Sequence, residues 1–290
     1  MKILITSGGR LASLLYQALN DDHDVRVMRR KHDDAFGSSC VVGDVSVYDD
    51  VARAIQGCDL VFHTAVRNNT DIELESYEEF HSSNVVGTFN VFLAGLRSGV
   101  KRIVHSSSSV VNGFYMSPPS SKAIHFDDDA PKRGVDIYAL TKIVGEMHAD
   151  YFRDVHDMSI ISLRYGWLAP QEMYQDPAMI FNTLQFCFHE DDALAANLLV
   201  MNQQSRGNYL ICAAPAFTDE DAEELLANPA GLLDLRYPKE LAYLREIGFQ
   251  PTPITGWLDC SRAMRELNYR PKYSFEDFVR MHRDGVFAEG

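Results

Sequence analysis

The chain has 290 residues, 46% of them apolar and 23% charged, with a formal net charge of −14. That composition belongs to a folded globular chain with room for a sizeable core, and the acidic balance argues against a nucleic-acid groove, which needs a basic face. Five scattered cysteines without a Cys-x-x-Cys pair, and no apolar run long enough to span a bilayer, exclude a zinc module, a disulfide scaffold and a membrane-spanning helix, and point to a cytoplasmic protein with reduced thiols.

Residues 2–6 form a short apolar run, expected as a buried parallel strand that ends at Thr6. Ser7-Gly8-Gly9-Arg10-Leu11 follows, and then an amphipathic helix to about Leu19. A strand, a glycine turn and a helix are where a diphosphate rests on backbone N–H groups. The turn is worn, because Ser7 stands where a first glycine is expected. The second strand, Val25 to Met28, runs into Arg29 and Arg30 rather than an acid. Guanidinium groups suit a 2′-phosphate, so with Arg10 they favour NADP over NAD.

A third strand ends at Gly43-Asp44-Val45, a helix spans Tyr48 to Ile55, and a fourth strand ends at Thr64-Ala65-Val66. One long helix is expected from Tyr77 to Ser98 with Asn84 inside it, and a fifth strand runs into Ser106-Ser107-Ser108-Ser109. Such alternation means a parallel sheet with helices on both faces, and ligands bind at the carboxyl ends of its strands. Residues 113–137 read as a loop. The next helix carries Tyr138 and Lys142, four apart and so on one face, which suits a phenol that trades a proton and an ammonium that lowers its pKa. A sixth strand ends at Tyr165-Gly166-Trp167, and beyond it the pattern loosens into a smaller lobe.

The order of Ile5 to Gly9, Gly43-Asp44-Val45, His63-Thr64-Ala65, Asn84 to Thr88, Arg102 to Ser108, Tyr138 to Lys142, Leu163-Arg164-Tyr165 and His189 to Asp192 resembles the extended short-chain dehydrogenases/reductases of the NAD-dependent epimerase/dehydratase family. The resemblance implies an α/β, doubly wound Rossmann sheet with a smaller C-terminal substrate lobe: residues 1–166 as the core, and 167–290 mainly as the lobe, with 189–212 returning to the core. It implies an NAD(P) cofactor held by Thr6, Ser7, Gly8, Gly9, Arg10, Leu11, Arg29, Arg30, Asp44, Val45, Thr64, Ala65, Val66, Asn84, Ser106, Tyr138, Lys142, Tyr165, Gly166 and Trp167. Tyr138 is then the acid/base and Ser108 the group that hydrogen-bonds the reacting oxygen. Lys142 binds the nicotinamide ribose and holds the phenolate. Ser108, Ser109, Asn112 and Trp167 face the substrate.

Departures from the family select among reactions. Ser109 and Val110 stand where dehydratases carry an Asp-Glu pair, so dehydration is disfavoured. Residues 168–188 are short for a nucleotide clamp and contain no basic residue, similar to uronate dehydrogenases that handle free sugars or sugar acids. The expected activity is hydride transfer between nicotinamide and a secondary alcohol or ketone of a sugar-like small molecule. An epimerase with resident NAD is the alternative, and a non-catalytic dinucleotide-binding regulator is a third reading. No metal site, nucleic acid or membrane partner is expected. A homodimer is the family expectation, with Phe89, Phe92, Leu96, Val144, Met147 and Phe152 as candidate contacts.

Overall fold

The computed structural model describes residues 1–7, 9–68, 76–114 and 120–287. Seven strands form the main sheet: β1 (Lys2–Thr6), β2 (Asp24–Arg29), β3 (Cys40–Val42), β4 (Leu60–His63), β5 (Arg102–Ser108), β7 (Ile160–Tyr165) and β8 (Gly207–Ile211), in the order β3-β2-β1-β4-β5-β7-β8. The pairs β1–β2, β1–β4, β2–β3 and β4–β5 are parallel, with Ile5 opposite both Val27 and Phe62. Ile3, Leu4 and Ile5 have no exposed surface. A central parallel strand is covered on both faces, which is why its sequence is continuously apolar rather than alternating. The strand order reverses at β1 and β4, the switch point where open α/β sheets bind ligands.

The chain divides into two compact units. The first comprises Met1–Gly113, Pro131–Arg164 and Leu194–Tyr209; the second comprises Phe114–Ala130, Tyr165–Ala193 and Leu210–Gly290. The division is interleaved, so residues 120–130, which fall in the stretch expected as a loop, belong to the second unit.

In the first unit α1 (Arg10–Leu19) follows β1, and α2 (Tyr48–Ile55) follows β3. The long helix expected from Tyr77 is a composite: α3 (Tyr77–Phe80), a π turn over His81–Val86, and α4 (Gly87–Ser98). The π turn carries Asn84, and such turns inside α-helices frequently mark functional positions. Helix α5 (Ile137–His156) starts at the N-cap Asp136, whose carboxylate accepts the Ala139 N–H at 2.6 Å.

Trp257, Tyr174, Tyr269, Phe181 and Phe278 are among the largest fully buried side chains of the second unit. It contains a two-stranded parallel ribbon, β6 (Ile124–Phe126) with β9 (Gly256–Leu258), of which β6 falls inside the stretch 113–137 expected as a loop. Three-residue strands show no usable alternation, which is why they were not legible. Its helices include α6 (Pro177–Phe181), α9 (Pro229–Arg236) and α10 (Pro238–Glu246), each begun by proline at the first turn. Proline pre-sets the helical φ where the N–H would have no partner anyway. Among the described residues no helix is long and apolar enough to cross a membrane, and no group of three or more His, Cys, Asp or Glu side chains could hold a metal.

Candidate active site

The β1 turn carries the worn fingerprint. Ser7 sits at φ +89°, a left-handed region that glycine occupies freely and serine does not. Its N–H donates to the Met28 carbonyl at 2.8 Å, and its Oγ accepts the Gly9 N–H at 3.3 Å. Sequence and backbone thus agree: the position where a glycine is expected still has a glycine's conformation. Gly9 is the N-cap of α1, Gly9 and Arg10 are exposed, and Leu11 is half-buried. Gly8 lies outside the described residues. Thr6 is fully buried; its hydroxyl meets His63 Nδ1 at 2.9 Å and accepts the Ala65 N–H at 3.1 Å, so β1 is fastened to the end of β4. Thr64 donates to the Thr6 carbonyl at 2.5 Å, and Val66 is half-buried.

The two arginines after β2 differ. Arg29 is half-buried, ion-paired with Asp33 and 5.6 Å from the centre of the Phe36 ring. Arg30 is exposed. At the end of β3, Asp44 accepts the Ser46 N–H at 2.9 Å and the Ser46 hydroxyl at 2.8 Å, and Val45 is buried with its carbonyl accepting from Asn90 at 3.0 Å. Asn84 has a positioning job. Its amide oxygen accepts the Arg67 N–H at 2.7 Å, while its nitrogen donates to the Arg67 carbonyl and to Thr141 Oγ1, both at 3.0 Å. It ties the segment after β4 to the helix that carries Tyr138 and Lys142.

The β5 end and α5 bring the expected acid/base group together. Ser108 caps a 3-10 turn over Ser109–Asn112, in which Ser109 and Asn112 are buried. Tyr138 is half-buried on the first turn of α5. Burial pushes its phenol up to about 12, and hydrogen bonding with Ser108 opposes that rise. Lys142 is buried, and its Nζ donates to the Ser106 carbonyl at 2.6 Å. Desolvation pulls the ammonium down to about 8, and the Glu146 carboxylate opposes the fall. The ammonium lies 5.9 Å from the phenol ring centre and is engaged by Ser106, so burial dominates the phenol.

Behind this group lies a polar cluster without a sequence-level role. The fully buried Glu146 carboxylate accepts Arg164 Nε at 2.8 Å and Nη2 at 2.9 Å, Ser107 Oγ at 2.7 Å, and Lys132 Nζ at 2.9 Å. The available signal was Glu146 one turn beyond Lys142, together with an arginine inside an otherwise apolar strand. His63 and His105 stack beside it, 5.7 Å between ring centres at 18°. Burial, then the Lys142 charge, holds His63 at about 3 and His105 well below the usual histidine range, so both are neutral.

In the second unit, Tyr165 is buried and Gly166 donates its N–H to the Ile211 carbonyl at 2.9 Å. A Cβ on Gly166 would stand 2.4 Å from the Phe186 carbonyl oxygen, so only glycine fits. Trp167 donates its N–H to that carbonyl at 2.8 Å and stacks on the Phe186 ring, 6.2 Å between centres.

The first unit's residues fit a dinucleotide. The turn after β1 keeps a glycine-like backbone; among the described residues, the buried Ser106 hydroxyl has no hydrogen-bond partner and the buried Lys142 ammonium has the Ser106 carbonyl as its acceptor. An orphaned buried hydroxyl costs free energy unless a ligand satisfies it.

Comparison with known proteins agrees with this geometry. The model of the NAD dependent epimerase/dehydratase family matches residues 3–206. An L-arabinose 1-dehydrogenase (NAD(P)(+)) of Haloferax volcanii is 30% identical over 175 residues, covering 58% of this chain and 67% of that protein. A uronate dehydrogenase of Pseudomonas syringae is 30% identical over 145 residues, covering 50% of this chain and 49% of that protein, so this match spans about half of the relative's length. In fold, the chain matches a short-chain dehydrogenase/reductase superfamily protein from Agrobacterium tumefaciens with bound NAD: TM-score 0.75, 18% identity, covering 100% of this chain and 99% of that one. Uronate dehydrogenase from the same organism matches with TM-score 0.69 at 20% identity, covering 98% and 88%.

Proposed function

The chain belongs to the NAD dependent epimerase/dehydratase family, and from that we propose that it is an NAD(P)-dependent oxidoreductase acting on a secondary alcohol or ketone of a sugar or sugar acid. The observation that carries the reading is the convergence of Ser108, Tyr138 and Lys142 at the β5 end, with Lys142 fixed on the Ser106 carbonyl. Thr6, Ser7, Gly9, Thr64, Ala65, Ser106 and Lys142 would hold the dinucleotide, whose nicotinamide would supply the hydride chemistry when bound. Tyr138 holds the proton that passes to or from the substrate oxygen. The Ser108 hydroxyl donates to the same oxygen as its charge develops. The buried Lys142 charge stabilises the phenolate form of Tyr138 once the site is filled.

NADP is the finer proposal for the cofactor, and it rests on Arg29 and Arg30 at the end of β2, with Arg10 after the β1 turn. Arg29 is already engaged by Asp33, so the preference for NADPH is expected to be small. The substrate class draws support from the sugar and sugar-acid dehydrogenases among the relatives and from the absence of basic residues in 168–188.

Homodimer formation and a cytoplasmic setting complete the reading. Leu140, Met147, Tyr151 and Val155 are 49 to 60% exposed and lie along one stripe of α5, with Phe89 of α4 39% exposed. Of the contacts expected from sequence, Phe89 and Met147 face outward, while Phe92 and Phe152 are core. The five cysteines are unpaired, which suits a reducing compartment.

The test is direct. The purified protein is denatured and any released nucleotide identified by mass spectrometry. The native protein is then titrated with NADH and NADPH and screened against aldoses and uronates. An empty site that takes up NADPH, with turnover of an aldose or uronate, supports the dehydrogenase. Stoichiometric NAD carried through purification supports the epimerase instead. No binding of either nucleotide sinks both.

A further inference from the structure

Among the described residues of the first unit, Glu146 is the most completely enclosed acid. It has no exposed surface, and four donor atoms on three partners are more than a solvated helix acid collects: Arg164 through two nitrogens, Ser107 through its hydroxyl, and Lys132 through its ammonium at 2.9 Å. Each partner belongs to a different piece of the site. Ser107 lies on β5 between Ser106, whose carbonyl holds Lys142, and Ser108, which faces Tyr138. Arg164 ends the β7 portion of the first unit. Lys132 lies in the segment leading to α5. Glu146 itself follows Lys142 by four residues on α5, one turn away on the same face.

We propose that Glu146 is a positioning residue for the hydride-transfer reaction: its pinned carboxylate locks α5 onto β5 and β7 and keeps the Lys142 ammonium charged beside Tyr138. This rests on the oxidoreductase reading above. The physical need is clear from the surroundings of Lys142. The ammonium is nearly sealed from water, and desolvation disfavours its charge. His63 of β4 and His105 of β5 face it, both neutral, and Ser106 offers only a carbonyl. Tyr138, on its own helix, is protonated in the free protein. Among the described residues Glu146 is the anion whose charge acts on Lys142, and Arg164 and Lys132 in turn hold that carboxylate ionised against its own burial. Asp150 lies farther out, 3.8 Å from the Lys132 ammonium.

The measurement is the titration of Lys142 itself, read in the full chain by NMR of ε-carbon-labelled lysine, with the resonance assigned through Lys142→Met. Glu146→Gln is expected to move the midpoint acidward by about one pH unit, the lower end for loss of a nearby opposite charge. Lys132→Gln, which leaves the Glu146 carboxylate and its Arg164 partner in place, is the control and is expected to leave the midpoint near its wild-type position. Glu146→Asp should restore part of the shift. With an identified substrate, the alkaline limb of kcat/KM should follow the same order, with KM changing less than kcat. A folded Glu146→Gln protein with an unmoved Lys142 midpoint overturns the proposal. If that variant fails to fold, Glu146→Asp is read in its place: its shorter carboxylate should give a smaller acidward shift, and an unmoved midpoint there overturns the proposal instead. A wild-type protein that turns over nothing, with the midpoint shifts intact, overturns the oxidoreductase reading rather than the electrostatic link.

Discussion

At the β1 turn, Ser7 holds a left-handed backbone angle and Gly9 and Arg10 face solvent; at the β5 end, Lys142 and Glu146 are sealed in and every hydrogen bond runs to a fixed partner. On the proposed function, the two places serve different demands on the same ligand. A diphosphate is bound by backbone N–H groups that only need to be uncovered and correctly turned, so strain and exposure are tolerable there. A proton-transfer group must be held at one geometry and one charge state, which requires dry packing and a complete set of partners. Loss of a side chain should therefore be felt steeply at the second place and mildly at the first.

The largest effect expected is that of Tyr138→Phe. Steady-state kinetics should show kcat lowered by roughly 10²–10⁴, the usual share of a positioned acid/base. Nucleotide titration should show little change, because the dinucleotide is held mainly elsewhere. Turnover that survives intact would remove Tyr138 from the chemistry.

The pH dependence comes next. Lys142 titrates at about 8 in the folded protein, below its ordinary value of 10.5. In the direction of ketone reduction both Tyr138 and Lys142 are needed protonated, and Lys142 is the first to lose its proton. kcat/KM should then fall about tenfold per pH unit above that midpoint, and a profile flat to pH 10 would count against the role. Stability has the opposite sign. A base with a lowered folded pKa destabilises the fold most below that pKa, and the penalty lifts as pH rises from about 8 to 10.5. Denaturant midpoints across that window would expose the trend.

Ser7→Gly tests the turn. It should relieve a strained backbone angle worth about 1 kcal/mol, raise Tm by a few degrees and leave kcat nearly unchanged. A lower Tm would mean that the Ser7 hydroxyl, bonded to the Gly9 N–H, matters more than the strain. Smallest is Arg30→Ala, expected to shift the NADPH-to-NADH affinity ratio by only about threefold, as exposed charge contacts usually do. Paired fluorescence titrations would show it, and an unchanged ratio would end the NADP preference.

Much of this was legible because the first unit is built from local patterns. A central strand buried on both faces reads as an apolar run, and a turn, a helix start and a Tyr–Lys pair one turn apart are all written within a few residues. Asn84 shows the limit. Its place in the chain was visible, but the π turn around it and its bonds to Arg67 and Thr141 depend on segments far away in sequence. In the second unit, β6 and β9 are three residues each and pair across more than a hundred residues, so nothing nearby announces them. The helices α6 and α9 were missed for another reason: the signals Asp176-Pro177 and Asn228-Pro229 were present as caps and first-turn prolines, and went unread.

The sequence by itself determined the fold class, the ends of the parallel strands where a ligand sits, and the residue types for hydride-transfer chemistry, because periodicity and short spacings act locally. Only the tertiary structure decided the charge states. Tyr138 stays high and Lys142 low because both are taken from water, and Glu146 becomes a site residue only when Ser107, Lys132 and Arg164 converge on it. Desolvation and the meeting of distant charges depend on what is packed around a group, and no local pattern encodes that.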